Sequence, residues 1–286
     1  MAKVTVGVPI YNGADHLAGS LDCILGQTFQ DLEVLVFDNA STDETPQIVA
    51  RYAERDPRVR YYRQPFNKGA VPNFGDLALA ATSPYFLWRA GDDRSDLNYV
   101  ETLLRVLEAH PDKQLAVGRV METFQGKVIK TRDMAPRLDR LGLMFDAHAT
   151  AIYGLFRREP IAAVMAQIGD RYGLTPWGWD FVALAPFFLN ETVVATPDTQ
   201  FEFVVRGAPR PPGQRRPPRK EADFDTMLGV RAGFLTLVRE FGRQYAPTPP
   251  RRWFIAILMW VYANKRVYKI KRIIRRTLQR RLGQKI

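Results

Sequence analysis

Two apolar runs in the first hundred residues end in carboxylates. Residues 32–38 (Leu-Glu-Val-Leu-Val-Phe-Asp) run into Asn39, Ala40, Ser41, Thr42 and Asp43. Residues 85–88 (Tyr-Phe-Leu-Trp) run into Arg89, Ala90, Gly91, Asp92 and Asp93. Short, nearly continuous apolar runs of this kind read as strands buried on both faces. A third run, residues 3–9, opens the chain and leads to Tyr11 and Asn12. In an open α/β sheet, ligands bind just beyond the carboxyl ends of the strands. Polar residues at three such ends therefore predict one shared crevice.

The intervening segments carry helix signals. Residues 14–27 place Leu17, Leu21, Ile24 and Leu25 at 3–4 spacing. Helices are expected over 43–54, with Ser41 or Thr42 as N-cap, over 70–81 and over 96–109. A short strand is expected over 58–62. Strands separated by helices of this length imply βαβ units and a mostly parallel sheet flanked by helices. The pattern then changes. Residues 114–124 and 127–131 predict a hairpin turning at Gln125-Gly126. Residues 148–156 are strand-like, 160–168 helical with Pro160 at the first position, 179–189 an apolar helix, and 192–205 one or two strands. A run with five prolines, 207–221, reads as a loop. Two helices, about 222–245 and 250–281, follow. The expected division is a domain over 1–206, the loop, and a helical basic segment over 222–286.

Charge is concentrated in that last segment. The net charge is +11, and residues 264–286 hold ten Lys or Arg and no acid, so 1–263 sit near +1. Residues 253–262 are apolar almost all round, and beyond them aliphatics recur among Lys269, Arg272, Arg275 and Arg276. Trp253, Trp260 and these cations have the character of an interfacial helix on an anionic membrane surface. A helix docked on the domain with a solvated basic extension is the other reading, and nucleic-acid binding a weaker third. The apolar stretch, about eleven residues, is far short of the roughly 20 needed to span a bilayer. A single cysteine, Cys23, cannot form an internal disulfide. The chain enters a strand without a signal peptide. The expected location is cytoplasmic, peripheral on the inner face of the membrane.

Each polar strand end suggests chemistry and also admits a structural role. Adjacent carboxylates such as Asp92-Asp93 suit Mg²⁺ or Mn²⁺ held against phosphates, or a helix cap. Asp38 and Asn39 can read the edge of a base. Tyr11 can border a base, or be an ordinary half-buried tyrosine. Asn67, Gly69 and Asn73, at the start of a helix, suit phosphate or sugar oxygens or a plain turn. His148 reads as structural.

In order and spacing, this set resembles the family 2 glycosyltransferases of GT-A fold. It comprises Val8-Pro9-Ile10-Tyr11-Asn12, the helix ending Leu25-Gly26-Gln27-Thr28, Val36-Phe37-Asp38-Asn39-Ala40-Ser41-Thr42-Asp43, Asn67-Lys68-Gly69 with Asn73, and Gly91-Asp92-Asp93. The likeness is dense over 3–110 and looser over 111–206. It implies a Rossmann-like mixed α/β fold and inverting transfer of a sugar, UDP- or dTDP-linked, to a hydroxyl of a glycan or lipid-linked acceptor, in polysaccharide or lipopolysaccharide synthesis. By the same likeness Pro9, Tyr11, Asn12, Asp38 and Asn39 face the nucleoside. Asp93 is then a metal ligand, with Asp92 towards ribose or metal. Asp180, in Trp177-Gly178-Trp179-Asp180, fits the family's general base; an N-cap is its alternative. Trp177 and Trp179 are an acceptor platform or core. Two departures stand out: Ala90-Gly91 precede the acidic pair, and Arg206 stands where many members have a histidine. Arg206 could bind the diphosphate directly. A catalytically inactive sugar-nucleotide or membrane-surface binding module is the alternative from another class.

Overall fold

The computed structural model describes residues 2–172, 178–205, 224–244, 249–267, 274, 275 and 278. Within them lies one mixed sheet whose halves differ. β1 (Val4–Ile10), β2 (Leu32–Asp38), β3 (Val59–Arg63) and β4 (Tyr85–Trp88) are parallel, in the order β3-β2-β1-β4. Every residue of β1, β2 and β4 is buried, as the unbroken apolar runs require of strands covered on both faces. The connections are α1 (Leu17–Leu25), α2 (Thr45–Arg55) and α3 (Ala70–Ala80).

Beyond β4 the sheet becomes mixed. β8 (Leu155–Arg157) runs antiparallel to β4 and to β6 (Leu115–Phe124). β9 (Val193–Val204) is parallel to β6, and the two-residue β5 (Arg94–Ser95) closes the edge against β9. β7 (Lys127–Arg132) forms the expected hairpin with β6. Its turn residues, Gln125 and Gly126, both have positive φ, the pairing a type I′ turn needs.

The sheet separates two cores. On one face α1, α2 and α4 (Tyr99–Ala109) cover Val4, Val6, Val8, Val34 and Val36. On the other, Leu35, Phe37 and Trp88 join α3, α5 (Arg140–Asp146), α6 (Arg158–Ile168) and α7 (Trp179–Leu189). α8 (Phe224–Gln244) and α9 (Pro249–Arg266) belong to this second core through Phe234, Phe241, Met259 and Tyr262. The described C-terminal helices are thus packed on the domain.

Several local expectations are corrected. Pro160 is the third residue of α6. The segment 148–156 is a 3-10 turn over Ala149–Tyr153, capped by His148, followed by β8. α5 has no counterpart in the expected pattern. α4 starts at Tyr99 because residues 94–95 pair with β9 first. Of the expected final helix, Pro249–Arg266 is helical, as are 274, 275 and 278, and apart from Val267 the rest lies outside the described residues. The loop 207–221 lies outside the described residues.

Candidate active site

Parallel register aligns the strand ends. Ile10 pairs with Asp38, and Asp38 with Arg63, while Gly7 pairs with Trp88. Tyr11 leaves β1 about half exposed, and Asn12 turns the chain with φ 51°. Asn12 donates its N–H to Ser41 Oγ (2.8 Å) and accepts from Thr42 N–H (2.8 Å). Thr45 Oγ1 and Asp43 Oδ2 accept from the N–H groups of Gly13 and Ala14. Ser41 and Thr42 are therefore fasteners between two loops and not caps. The N-cap of α2 is Glu44, with no side-chain cap bond.

Asp38 is fully buried. Oδ1 accepts from Ser41 N–H and Oδ2 from the Tyr61 hydroxyl, both at 2.8 Å, and Arg63 Nε lies 3.8 Å away. Burial and the Asp38 hydrogen bond push the Tyr61 hydroxyl up, so it stays a donor. The tight turn puts Ala40 at φ 61°, a strained setting for alanine. Asn39 donates to Asn67 Oδ1 (2.9 Å) and Gly69 carbonyl (3.1 Å) and accepts from Lys68 N–H. Asn73 donates to the Phe37 carbonyl (2.9 Å), and its Oδ1 is buried with no hydrogen-bond partner. Gly69, at φ 89°, releases the chain into α3.

The acidic pair lies beside β1. A Cβ at Gly91 would sit 2.4 Å from Ile10 Cδ1. The 90–93 turn thus lies against the tip of the Ile10 side chain, which a larger residue at 91 would displace. Ser20 Oγ holds the Ala90 carbonyl from α1. Asp93 is buried and its N–H donates to the Ala90 carbonyl; Asp92 is half-buried. Neither Asp93 nor Ser95 caps α4, whose N-cap is Asn98. Beneath the turn, Arg89 is buried. It donates to the Arg94 carbonyl and Ser95 Oγ, and its guanidinium lies 5.2 Å from the ring centres of Tyr99 and Phe201.

The opposite wall is the start of α7. Gly178 is its N-cap, at φ 78°, so Asp180 lies inside the first turn and is not the cap. As a residue Asp180 is partly accessible, yet its carboxyl is enclosed enough that burial pushes it up to about 6. Phe181 N–H and the positive charge of Arg266 oppose that rise. Arg266 and Tyr262 arrive from α9. The Tyr262 hydroxyl donates to the Phe181 carbonyl (2.9 Å). Arg266 lies 4.1 Å from the Phe181 ring centre and donates to the Met144 carbonyl (2.8 Å).

Tyr153 joins the two walls. It stacks on Phe201 at 4.8 Å, and burial, then the charges of Asp93, Asp92 and Asp180, push its hydroxyl up. The charges of all three carboxylates therefore reach one phenol, on a half-buried residue. Among the described residues no group of three or more His, Cys, Asp or Glu is arranged to hold a metal. Two adjacent carboxylates do fit an ion that takes its other ligands from phosphate and water.

A family model, glycosyl transferase family 2, matches residues 5–164. The chain belongs to that family. Glycosyltransferase GlyA of Streptococcus pneumoniae is 35% identical over 119 residues, 41% of this chain and 16% of GlyA. The chain thus spans only part of the curated relatives it matches. Among solved structures, Staphylococcus aureus TarS 1-349 in complex with UDP-GlcNAc gives a TM-score of 0.66 at 16% identity, covering 99% of this chain and 76% of that one. The mannosyltransferase PcManGT of Pyrobaculum calidifontis, in complex with GDP-Man and Mn2+, gives 0.54 at 20% identity, covering 92% and 70%. Both likenesses establish the fold.

The family match stops short of Asp180 and α9, so the second wall rests on this chain's own geometry. Of the two roles open to Trp179, its surroundings supply packing. It is buried against Phe74 (4.7 Å) and Trp88 (6.1 Å between ring centres). Trp177 and Arg206 lie outside the described residues, as do Lys269, Arg272 and Arg276; Arg275 is exposed. His148 sits against Phe203 and is pushed down to about 4 by burial, then by Arg132 and Arg266, as a structural histidine would be. Arg89, Tyr153, Tyr262 and Arg266 were not singled out from sequence. Only Arg89 carried a signal, a lone cation closing an apolar strand.

Proposed function

We propose that this family 2 member transfers a sugar from a nucleotide diphosphate donor, UDP- or dTDP-linked, to a hydroxyl of a glycan or lipid-linked acceptor, with inversion. The observation that carries the reading is the row of polar strand ends at Asn12, Asp38–Asn39 and Asp92–Asp93, with Asp180 in the first turn of α7, its carboxyl pushed up to about 6 by burial and its charge reaching the same Tyr153 hydroxyl as those of Asp93 and Asp92. A base with a pKa just below neutrality is largely ionised at pH 7 and still accepts a proton well. Asp180 takes the proton of the acceptor hydroxyl as its oxygen attacks the anomeric carbon. The bond from that carbon to the diphosphate oxygen breaks, and the electron pair leaves with the diphosphate.

Pro9, Tyr11, Asn12, Asp38 and Asn39 form the nucleoside side. Asp38 is fully buried and held by Ser41 N–H and the Tyr61 hydroxyl, so its part on this side is to fix the Asn39–Ser41 turn that borders the base. Asn67, Gly69 and Asn73 border the same side, with Arg206 the reading for the diphosphate. Asp93 and Asp92 would hold Mg²⁺ or Mn²⁺, which supplies neutralisation of charge on the leaving diphosphate. The acceptor reading includes an anionic membrane surface at the cytoplasmic face, motivated by the basic segment after residue 264. No helix among the described residues is long and apolar enough to cross a membrane.

The test is nucleotide release from UDP-, dTDP- and GDP-sugars with and without Mn²⁺, for the wild type, Asp93→Ala and Asp180→Asn. Metal-dependent turnover lost in both variants is expected. Nucleotide binding by thermal shift with no turnover from any donor would instead indicate a binding module.

A further inference from the structure

α9 has two faces, both apolar. Leu258, Met259, Tyr262 and Ala263 are buried in the shared core. Trp253, Ile257, Trp260 and Val261, at i, i+4, i+7 and i+8, point away from it with Phe254 beside them; Trp253 is 75% and Ile257 62% exposed. An ordinary solvated helix face does not carry two tryptophans and three further large apolar side chains in one stripe. At the same end, between α8 and α9, a cleft of about 500 Å³ is lined by Arg239, Arg243, Arg252 and Trp253. The nearest acid on that stretch of α8, Glu240, is engaged by Arg171 at 2.7 Å. The chain then continues into ten basic residues and no acid.

We propose that this face of α9 is a membrane-docking surface, in which the arginine-lined cleft receives the phosphate of an anionic lipid while Trp253, Phe254, Ile257 and Trp260 enter the headgroup boundary. This rests on the membrane reading of the C-terminal segment and assigns it to particular residues. Guanidinium groups match phosphate oxygens in a planar, two-pronged geometry. Tryptophan is suited to the interface because its ring is apolar and its N–H stays wet. The charge pattern selects an anionic surface over a neutral one. The stripe's aliphatics separate this face from a nucleic-acid groove, where aromatics would stack bases without Ile and Val between them.

The test is co-sedimentation of the full chain with vesicles of phosphatidylcholine alone or with one-third phosphatidylglycerol. Binding to the anionic vesicles only, weakened by salt, is expected. Arg239→Gln with Arg243→Gln should weaken it about 30-fold, at about 1 kcal/mol per cation, and Trp253→Ser with Ile257→Ser should weaken binding at every salt concentration. Nucleotide release from the donor should be unchanged in all four substitutions, which shows that the variants are folded. If these variants bind like the wild type while neutralising Lys269, Arg272, Arg275 and Arg276 abolishes binding, the docking face is wrong and the membrane reading stands. If the wild type ignores anionic vesicles, both fall. A dimer in gel filtration that Trp253→Ser dissolves would make the stripe a contact between copies and overturn the proposal.

Discussion

The two walls of the candidate site are built on opposite principles. The strand-end wall is local and redundant. Asp38, Asn39, Asn12, Ser41 and Asp43 are tied to one another and to Ala14, Thr42 and Asn67 by hydrogen bonds within the loops adjoining β1, β2 and α3. The α7 wall holds a single carboxyl, and its support comes from a helix far along the chain: Tyr262 and Phe181 are 81 positions apart. A network with many cross-links tolerates the loss of one. A lone buried carboxyl propped by one helix should be sensitive to every partner.

Substitutions can break or sharpen that contrast. The largest effect is expected at Asp180→Asn, which should slow transfer by roughly 10²–10⁴-fold, the range for a general base, and leave nucleotide binding unchanged by thermal shift. The same variant should gain stability at high pH. A carboxyl raised to about 6 in the fold favours folding when protonated. That contribution is present below its unfolded value near 4 and is lost as pH rises through about 6. Asp180→Asn should therefore be more stable than the wild type at pH 8, by about 2 kcal/mol, with the difference gone at pH 4. Equal melting temperatures at both pH values would show that the carboxyl is not buried as described.

Next is Asp93→Ala. Loss of the metal-side carboxylate should cut Mn²⁺-dependent nucleotide release by on the order of 100-fold and flatten the Mn²⁺ titration. Arg266→Gln should act more gently, with kcat down by on the order of tenfold and KM for the donor unchanged. Because Arg266 holds the Asp180 carboxyl down, its removal should move the acidic limb of the kcat profile to higher pH, and Arg266→Lys should restore it in part. An unmoved limb would separate α9 from the base. The smallest effect is expected at Tyr61→Phe. Asp38 keeps Ser41 N–H and Arg63, so the cost in urea melts should be about 1 kcal/mol. A loss several times larger would show that the strand-end wall is as fragile as the other.

Legibility from sequence follows the same divide. The parallel strands and the Asp38 and Asp92-Asp93 ends were readable because buried parallel strands are continuous apolar runs and their ends cluster. The turn at Ala40 was not, since alanine gives no hint of positive φ. Ser41 and Thr42 looked like caps because hydroxyls before a helix usually are; here they satisfy Asn12 across a loop gap. Gly91 looked like a departure from the family pattern; in the fold it lies against the tip of Ile10, where a Cβ would require that side chain to move. Asp180 was found through family likeness alone. Its props, Tyr262 and Arg266, were invisible because an apolar helix does not announce which face turns inward. The apolar run 253–262 read as membrane or core, and the fold divides it between a packed face and an open one.

The span between Phe181 and Tyr262 also sets an order of assembly. A ribosome delivers β1 to β4 first, and the strand ends with Asn12, Asp38, Asn39, Asp92 and Asp93 are out before residue 94. The helix bearing Asp180 follows, but the hydroxyl and guanidinium that fix its first turn emerge more than 80 residues later. Until then the Asp180 turn lacks both of these props. On the proposed reading, a chain that lacks α9 carries every residue of the donor side and a base without the two groups that steady it.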